Sequence, residues 1–223
     1  AHGSAFSIQT EGPVIFDGDG DVEIRTYNDD SYAHTNAIKL HNDGASLLVD
    51  KAGHSVTLAL DAADGQSTKY DEVAGIYLTN NNQNVVINAD NVNFENNGYN
   101  RGYGIWTGAS AVDSIITING NANFSDDAAA KEAYAIRHDH GTTVINGNTK
   151  ITMVGAGGSG IRAINGAVQF NGDTVIDLKG DVAYIDRTVP AFGIWNGATP
   201  YGVTPITGAH IKLTGNTTIT TCL

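Results

Sequence analysis

Three pairs of adjacent acidic residues are the first candidates for chemistry in this sequence, because two carboxylates can act together as general acid and general base. Glycosidases place such a pair on either side of the bond they cleave. The pairs here are Asp29-Asp30, Asp71-Glu72 and Asp126-Asp127. All three stand in polar stretches typical of solvated turns, and none aligns with the arginines of the repeat described below. We therefore predict no catalytic residue.

Two short motifs contain residue types that bind metal ions in other proteins. The stretch Asp17–Asp21 alternates Asp with Gly and resembles part of a calcium loop, but it lacks the spacing and the distal Glu of an EF-hand. A tight acidic turn is the simpler interpretation, and calcium binding there stays open. His138 and His140 could offer two imidazoles on one strand face, but no third ligand follows at a suitable spacing. Because His138 lies two residues after the inward Ile136, we expect a hydrogen-bonded structural histidine, no metal site and no cofactor.

The glycine-rich stretch 155–160 has the composition of a nucleophile or phosphate loop. The sequence contains neither a Gly-x-Ser-x-Gly motif nor a Walker A motif, and no helical pattern follows the glycines. We interpret the stretch as a flexible corner before the next strand.

The elements that must position these residues are short runs rich in Val, Ile, Thr and Phe, separated by Gly, Asn and Asp. This pattern predicts strands and turns, and only residues 126–133 look helical. One run returns with a fixed shape, a small residue followed by Ile and a variable residue. We call its isoleucines the anchor residues. They recur every 25–38 residues, about 31 on average, at Ile8, Ile38, Ile76, Ile105, Ile136, Ile161 and Ile194.

Two further runs follow most anchor residues, with a glycine corner between them. The corners are at Asn119-Gly120, Asn146-Gly147, Asn171-Gly172 and Thr214-Gly215. Asn-Gly tolerates positive φ and allows a sharp corner, but it is also typical of antiparallel hairpins, so a sandwich or barrel is the alternative. Two or three strands per repeat predict an all-β parallel β-helix of about seven coils, a single domain over residues 1–223. Differences in repeat length predict loops at residues 61–72, 126–132 and 196–205.

Side chains alternate in direction along a strand, so the residue after each inward anchor residue is expected to face outward. This position holds Gln9 and then six residues that we call the stripe: Lys39, Tyr77, Trp106, Arg137, Arg162 and Trp195. Exposed rings and cations in one column suit a polysaccharide or an extended protein ligand. The alternative is that the rings cover the sheet and the arginines stack on them. Tyr99, Tyr103 and Tyr201 are expected in loops that would extend the stripe.

Composition limits the partners. The chain has 223 residues, with 12 basic and 24 acidic side chains and a net charge of −12, so we expect neither nucleic acid nor an anionic membrane as a partner. The single cysteine, Cys222, excludes an internal disulfide, and no apolar run is long enough to insert into a membrane as a helix. The chain begins without Met or a signal stretch, and its last strand has no polar cap. We expect a processed or recombinant piece of a longer protein.

The strands around Gly75-Ile76-Tyr77, Gly104-Ile105-Trp106 and Gly193-Ile194-Trp195, with the corners after Ile118 and Ile145, resemble the passenger domains of Gram-negative autotransporters, the type V secretion system. The resemblance implies a right-handed parallel β-helix that is acidic, poor in cysteine and displayed at the cell surface. It also implies a non-enzymatic adhesin that binds a host or bacterial polysaccharide or a matrix protein, or that associates with itself between cells. A polysaccharide lyase or glycosidase on the same scaffold, and a purely structural stalk, are the alternatives.

Overall fold

The computed structural model describes residues 5–28, 35–62, 73–97, 101–126, 132–154, 158–179, 192–197 and 210–222. Within these ranges the regular elements are all β-strands. They are β1 Ala5–Thr10, β2 Pro13–Phe16, β3 Val22–Asn28, β4 Thr35–Leu40, β5 Ser46–Ala62, β6 Val73–Leu78, β7 Asn84–Asn97, β8 Arg101–Thr107, β9 Ile115–Asp126, β10 Glu132–His138, β11 Thr142–Ile145, β12 Thr149–Met153, β13 Gly158–Ala163, β14 Ala167–Phe170, β15 Thr174–Lys179, β16 Ile194–Asn196, β17 His210–Leu213 and β18 Thr217–Cys222.

Sheet A contains one strand from each repeat, in the order β1-β4-β6-β8-β10-β13-β16, and every pair in it is parallel. The seven anchor residues pair with one another along this sheet, from Ile8 with Ile38 to Ile161 with Ile194. The predicted parallel β-helix of seven coils is thereby confirmed, and the antiparallel alternative is excluded for these strands.

Sheet B supplies the other two faces of the coil. Its B1 face consists of β2, the first halves of β5, β7 and β9, and then β11, β14 and β17. Its B2 face consists of β3, the second halves of β5, β7 and β9, and then β12, β15 and β18. The predicted Asn-Gly corners lie where B1 meets B2. In β9 the strand continues through this corner, whereas in coils five to seven it ends there.

The expected helix falls largely on residues 127–131, which lie outside the described residues. The expected loops at 61–72, 126–132 and 196–205 lie mostly outside them as well. No helix among the described residues has the length and hydropathy needed to cross a bilayer.

The core lies between the three faces and is built from columns of similar apolar side chains. The anchor residues Ile38, Ile76, Ile105, Ile136 and Ile161 are fully buried. Opposite them, the B2 column runs through Leu58, Phe94, Phe124, Ile151 and Ile176. Each coil therefore covers the apolar residues of its neighbours, as expected for a solenoid.

Side-chain size is matched across this core. Phe94 and Phe124 stack with ring centroids 4.5 Å apart, and they point at Gly75 and Gly104, the residues before the anchors of the same coils. A Cβ added to Gly104 would lie 2.4 Å from Cδ1 of Phe124. In the next coil, where Ile151 replaces the phenylalanine, the chain has Ala135 instead of glycine. At Gly75 and Gly104 the ring across the core and a backbone carbonyl of the next coil, 2.7 Å away in both cases, together leave no room for a Cβ. Gly160 and Gly193 occupy the same position opposite an isoleucine side chain.

We predict that Gly104→Ala destabilises the fold by roughly 1–3 kcal/mol, because the added methyl group overpacks the core against Phe124. Urea unfolding followed by circular dichroism measures the change. The matched control is Gly108→Ala, where the nearest atom to an added Cβ is 3.5 Å away and no strain is expected. An equal loss in both variants would contradict this account of the core.

Candidate functional site

The stripe residues lie in one continuous column on the outer side of sheet A. Strand pairing joins Lys39 to Tyr77, Tyr77 to Trp106, Trp106 to Arg137, Arg137 to Arg162 and Arg162 to Trp195, with Gln9 before Lys39. The predicted alignment of these positions is confirmed. Their part in ligand binding stays a prediction.

The rings in the middle of the stripe cover one another. Tyr77 and Trp106 stack with centroids 4.4 Å apart and an angle of 19° between their planes, and they are only 8% and 9% exposed. Sugars bind aromatic residues by stacking on a ring face, and these faces are largely occupied. For Tyr77 and Trp106 the geometry favours the packing alternative.

A second outward column, two residues before the anchors, completes this packing. Tyr103 and Tyr134 occupy it, are almost fully buried and stack with centroids 5.7 Å apart, and Tyr103 also lies 5.0 Å from Trp106. The prediction that Tyr103 lies in a loop is wrong, because it is part of β8. Tyr99 and Tyr201 lie outside the described residues.

Arg137 connects the rings of Trp106 and Tyr103 to the carboxylate of Asp139. Its guanidinium lies 5.1 Å from the centroid of Trp106 and donates to the Tyr103 hydroxyl at 3.1 Å and to Asp139 at 3.2 Å. Asp139 in turn accepts a hydrogen bond from the Trp106 indole N–H at 3.2 Å. Burial lowers the pKa of Arg137, but Tyr103 and Asp139 outweigh burial and raise that pKa above its usual value. Arg137 is therefore a charged, tethered part of the packed surface.

The cations of the stripe and Trp195 are more accessible than its two stacked rings. Lys39, Arg137, Arg162 and Trp195 are partly exposed, whereas Tyr77 and Trp106 are buried. The Arg162 guanidinium lies 4.1 Å from the centroid of the Trp195 ring, and the Lys39 ammonium lies 5.0 Å from Phe6 and 5.3 Å from Tyr77.

A polar column at the B1–B2 corner escaped the sequence analysis. Asn171, Asn146, Asn119 and Asn88 each donate an amide N–H to the side-chain oxygen one coil earlier, at 2.6–3.2 Å, and the last acceptor is Asp50. We call this column the asparagine ladder. The expectation that positive φ shapes this corner is wrong for its glycines: Gly120, Gly147, Gly172 and Gly215 do not adopt positive φ, and glycine is needed there because a Cβ would clash with the backbone of the preceding coil. The signal for the ladder was the return of Asn at the same offset after each B1 strand.

The acidic turn Asp17–Asp21 is bound by a lysine side chain from the next coil. The ammonium of Lys51, a buried residue, donates to the backbone carbonyls of Asp17 and Gly18, both at 2.9 Å. Asp21 accepts from the backbone N–H of Ser55 at 2.8 Å. These oxygens hold the second coil against the first, and they are already engaged with donors from the protein. The arrangement agrees with the expected tight turn.

His138 is buried and hydrogen-bonded, as predicted. Its Nδ1 contacts the Thr107 hydroxyl and the His140 carbonyl, and its Nε2 lies 2.9 Å from the Thr143 hydroxyl. Burial lowers the pKa of His138 to about 4, against smaller upward effects of the His140 carbonyl and of Asp139. The imidazole is neutral at physiological pH and links sheet A to the B1 face.

The remaining candidates do not come together. Asp29, Asp30, Asp71, Glu72 and Asp127 lie outside the described residues, and Asp126 is buried at the end of β9. The glycine-rich stretch is described only from Gly158, where β13 begins. Over the ranges that the structure describes, no three His, Cys, Asp or Glu side chains converge into a possible metal site.

The chain was compared with protein-family models, with curated proteins and with solved structures, and none of them matches it.

We predict that this protein loses stability in acid because of His138. The folded-state pKa of about 4 lies below the ordinary value of 6.5, so the unfolded chain binds the proton more readily. The contribution is complete above about pH 6.5 and is lost as the pH falls towards 4, on the order of 3 kcal/mol in total. Urea unfolding between pH 7 and pH 4 measures it.

His138→Gln should flatten that pH dependence, although it lowers stability at pH 7. The matched control is His41→Gln, which removes an exposed imidazole and should keep the wild-type slope. An unchanged slope in His138→Gln would show that other groups cause the acid sensitivity.

Proposed function

We propose that this chain is a non-enzymatic adhesin domain displayed at the surface of a Gram-negative bacterium, as part of an autotransporter passenger. Its ligand is a polysaccharide of the host or of the bacterial surface, or an extracellular-matrix protein. Self-association between cells is a further mode of the same surface. The parallel β-helix supports this proposal, because a rod that repeats its side chains at each coil suits an extended ligand.

The single observation that carries the proposal is the unbroken register of the stripe over six coils. Its central rings form the support, and its contact groups are the partly exposed Lys39, Arg162 and Trp195. The Arg162 guanidinium is already stacked on Trp195, so little side-chain freedom remains to be lost when a ligand binds. Rigid aromatic and arginine side chains are the residue types that contribute most at binding surfaces.

The physical mode is accumulation of contacts along the rod. Neighbouring coils are about 4.8 Å apart, so a ligand lying along the stripe meets a new side chain at each step. Cations and indole edges offer donors to hydroxyl and carboxylate groups, while the net charge of −12 disfavours long polyanions. Moderate affinity per site, multiplied by many copies on a surface, is enough for adhesion.

We predict that the Arg162→Ala/Trp195→Ala double variant binds its ligand at least about tenfold more weakly than the wild-type chain, since it removes the accessible cation and ring together. A glycan array, together with wells coated with fibronectin or laminin, identifies the ligand, and titration of the strongest hit measures the affinity. Sedimentation at rising protein concentration measures self-association.

The matched control is Gln169→Ala/Lys212→Ala on the B1 face, which removes one cation and one polar side chain away from the stripe. It should bind like the wild type. Circular dichroism confirms that both variants remain folded. Equal binding by the stripe variant and the control would remove the stripe from consideration, and no binding or self-association by the wild type would refute the adhesin role.

A further inference from the structure

A groove of about 320 Å³ lies on the outer side of the B2 face, away from the stripe. Its lining includes Asn121, Asn123, Asn148, Lys150, Asp173 and Val175. These residues come from coils four to six, so the groove crosses neighbouring strands along the rod axis. It is a second outward surface on which side chains repeat in register.

One wall of the groove is a column of amides fixed by the backbone of the next coil. The Asn121 side-chain oxygen accepts from the backbone N–H of Asn148 at 3.0 Å, and the Asn148 oxygen accepts from the backbone N–H of Asp173 at 3.0 Å. Asp173 accepts from the backbone N–H of Asn216 at 2.8 Å. Because their oxygens are held in this way, the amide nitrogens have fixed positions.

The adjacent column is ordered by side chains alone. Asn123 donates to Asn93 at 3.0 Å, and Asn93 donates to Thr57 at 3.2 Å. Lys150 is the next residue in this column, followed by Val175. After its two amides, the column therefore continues with the ammonium group of Lys150 and then with the apolar side chain of Val175, which is 42% exposed.

Several hydrogen-bonding groups in the groove have no partner among the described residues. They are the Asn148 amide nitrogen, the Asn123 side-chain oxygen, the Lys150 ammonium and the second Asp173 carboxylate oxygen. An amide has two N–H donors and two acceptor positions, and an ammonium has three donors. Acceptors in coils four and six, from Asn123 and Asp173, thus lie on either side of donors in coil five, from Asn148 and Lys150. A ligand with hydroxyl groups, which both donate and accept hydrogen bonds, matches such a pattern better than a ligand that only donates or only accepts.

The charge of the groove and of the whole chain further limits the class of ligand. Lys150 is the one cation of the described groove lining, and Asp173 borders the same groove. With a net charge of −12 on the whole chain, a polyanionic ligand would be repelled here. Exposed Val175 gives the C–H face of a sugar ring an apolar contact. An extended neutral glycan also advances by about one coil spacing per sugar, so successive sugars meet the side chains of successive coils.

We propose that this groove binds an extended neutral polysaccharide that lies along the rod axis over coils four to six. The inference deepens the proposed adhesin function and rests on it. It adds a separate site for a neutral glycan in the B2 groove, while the stripe remains the proposed contact for the other ligands of the adhesin, a matrix protein or a second copy of the chain. The ligand is held by the amides of Asn123 and Asn148 and by the ammonium of Lys150, with Val175 under one sugar ring.

The test uses the full chain and the Asn123→Thr/Lys150→Thr variant. Threonine already occupies equivalent outward positions at Thr57 and Thr218, so the fold is expected to tolerate it. The probes are hexasaccharides of β-1,4-glucan, β-1,3-glucan and α-1,4-glucan, with oligogalacturonate as the acidic counterpart, measured by calorimetry. The charge-matched control is Lys212→Thr on the B1 face.

We expect the wild type to bind one of the neutral probes, the groove variant to bind it at least about tenfold more weakly, and the control and the Arg162→Ala/Trp195→Ala variant to bind it normally. Loss of binding in the stripe variant with normal binding in the groove variant overturns the groove and leaves the adhesin function standing. Preference for oligogalacturonate overturns the assignment to a neutral ligand. If the wild type binds a matrix protein but no neutral probe, the groove assignment fails alone; if it binds nothing and does not self-associate, both proposals fail.

Discussion

Each coil of this protein can bury its apolar residues only against the coil above and the coil below, and this constraint shapes the molecule. Parallel pairing fixes the axial register, so an inward position must hold a side chain that fits its equivalents in both neighbours. The anchor residues meet this requirement with isoleucine in every described coil. Phe94 and Phe124 meet it by stacking, and the glycines opposite them provide the space.

The same constraint aligns polar residues from coil to coil and gives their hydrogen bonds one direction along the rod. In the asparagine ladder, each described amide from Asn171 to Asn88 donates towards the N-terminal coils, and the Asp50 carboxylate is the terminal acceptor. At the other end, Gln169 donates to Asn171 at 2.7 Å. Aligned amide dipoles polarise one another, so such a chain is stronger than its separate bonds. A carboxylate suits only the accepting end, because it cannot donate when ionised.

Periodicity made the axial register predictable, but not the packing around it. The anchor residues and the stripe followed from one repeated triplet, because strand alternation places the next residue outward. Tyr103 and Tyr134 did not follow, because strict alternation would turn the residue two before an anchor inward. In the structure, Ala135 and Ile136 both belong to the core, which returns Tyr134 to the outer side. The burial of Trp106 depends on this local irregularity. Lys51 was equally hidden, since its partners in the acidic turn lie more than thirty residues away in sequence.

Inward columns must repeat, whereas outward columns can change from coil to coil without disturbing the core. The groove column shows this freedom, because it reads Thr57, Asn93, Asn123, Lys150, Val175 and Thr218 along the rod. Single outward substitutions therefore alter hydrogen bonding, charge or apolar contact at one step of about 4.8 Å while leaving the neighbouring steps intact. The stripe is more restricted, because its rings stack on one another and a change at Trp106 affects Tyr77, Tyr103 and Arg137 together. For this reason the groove column can change one contact at a time, whereas a substitution in the stripe changes several packed contacts at once.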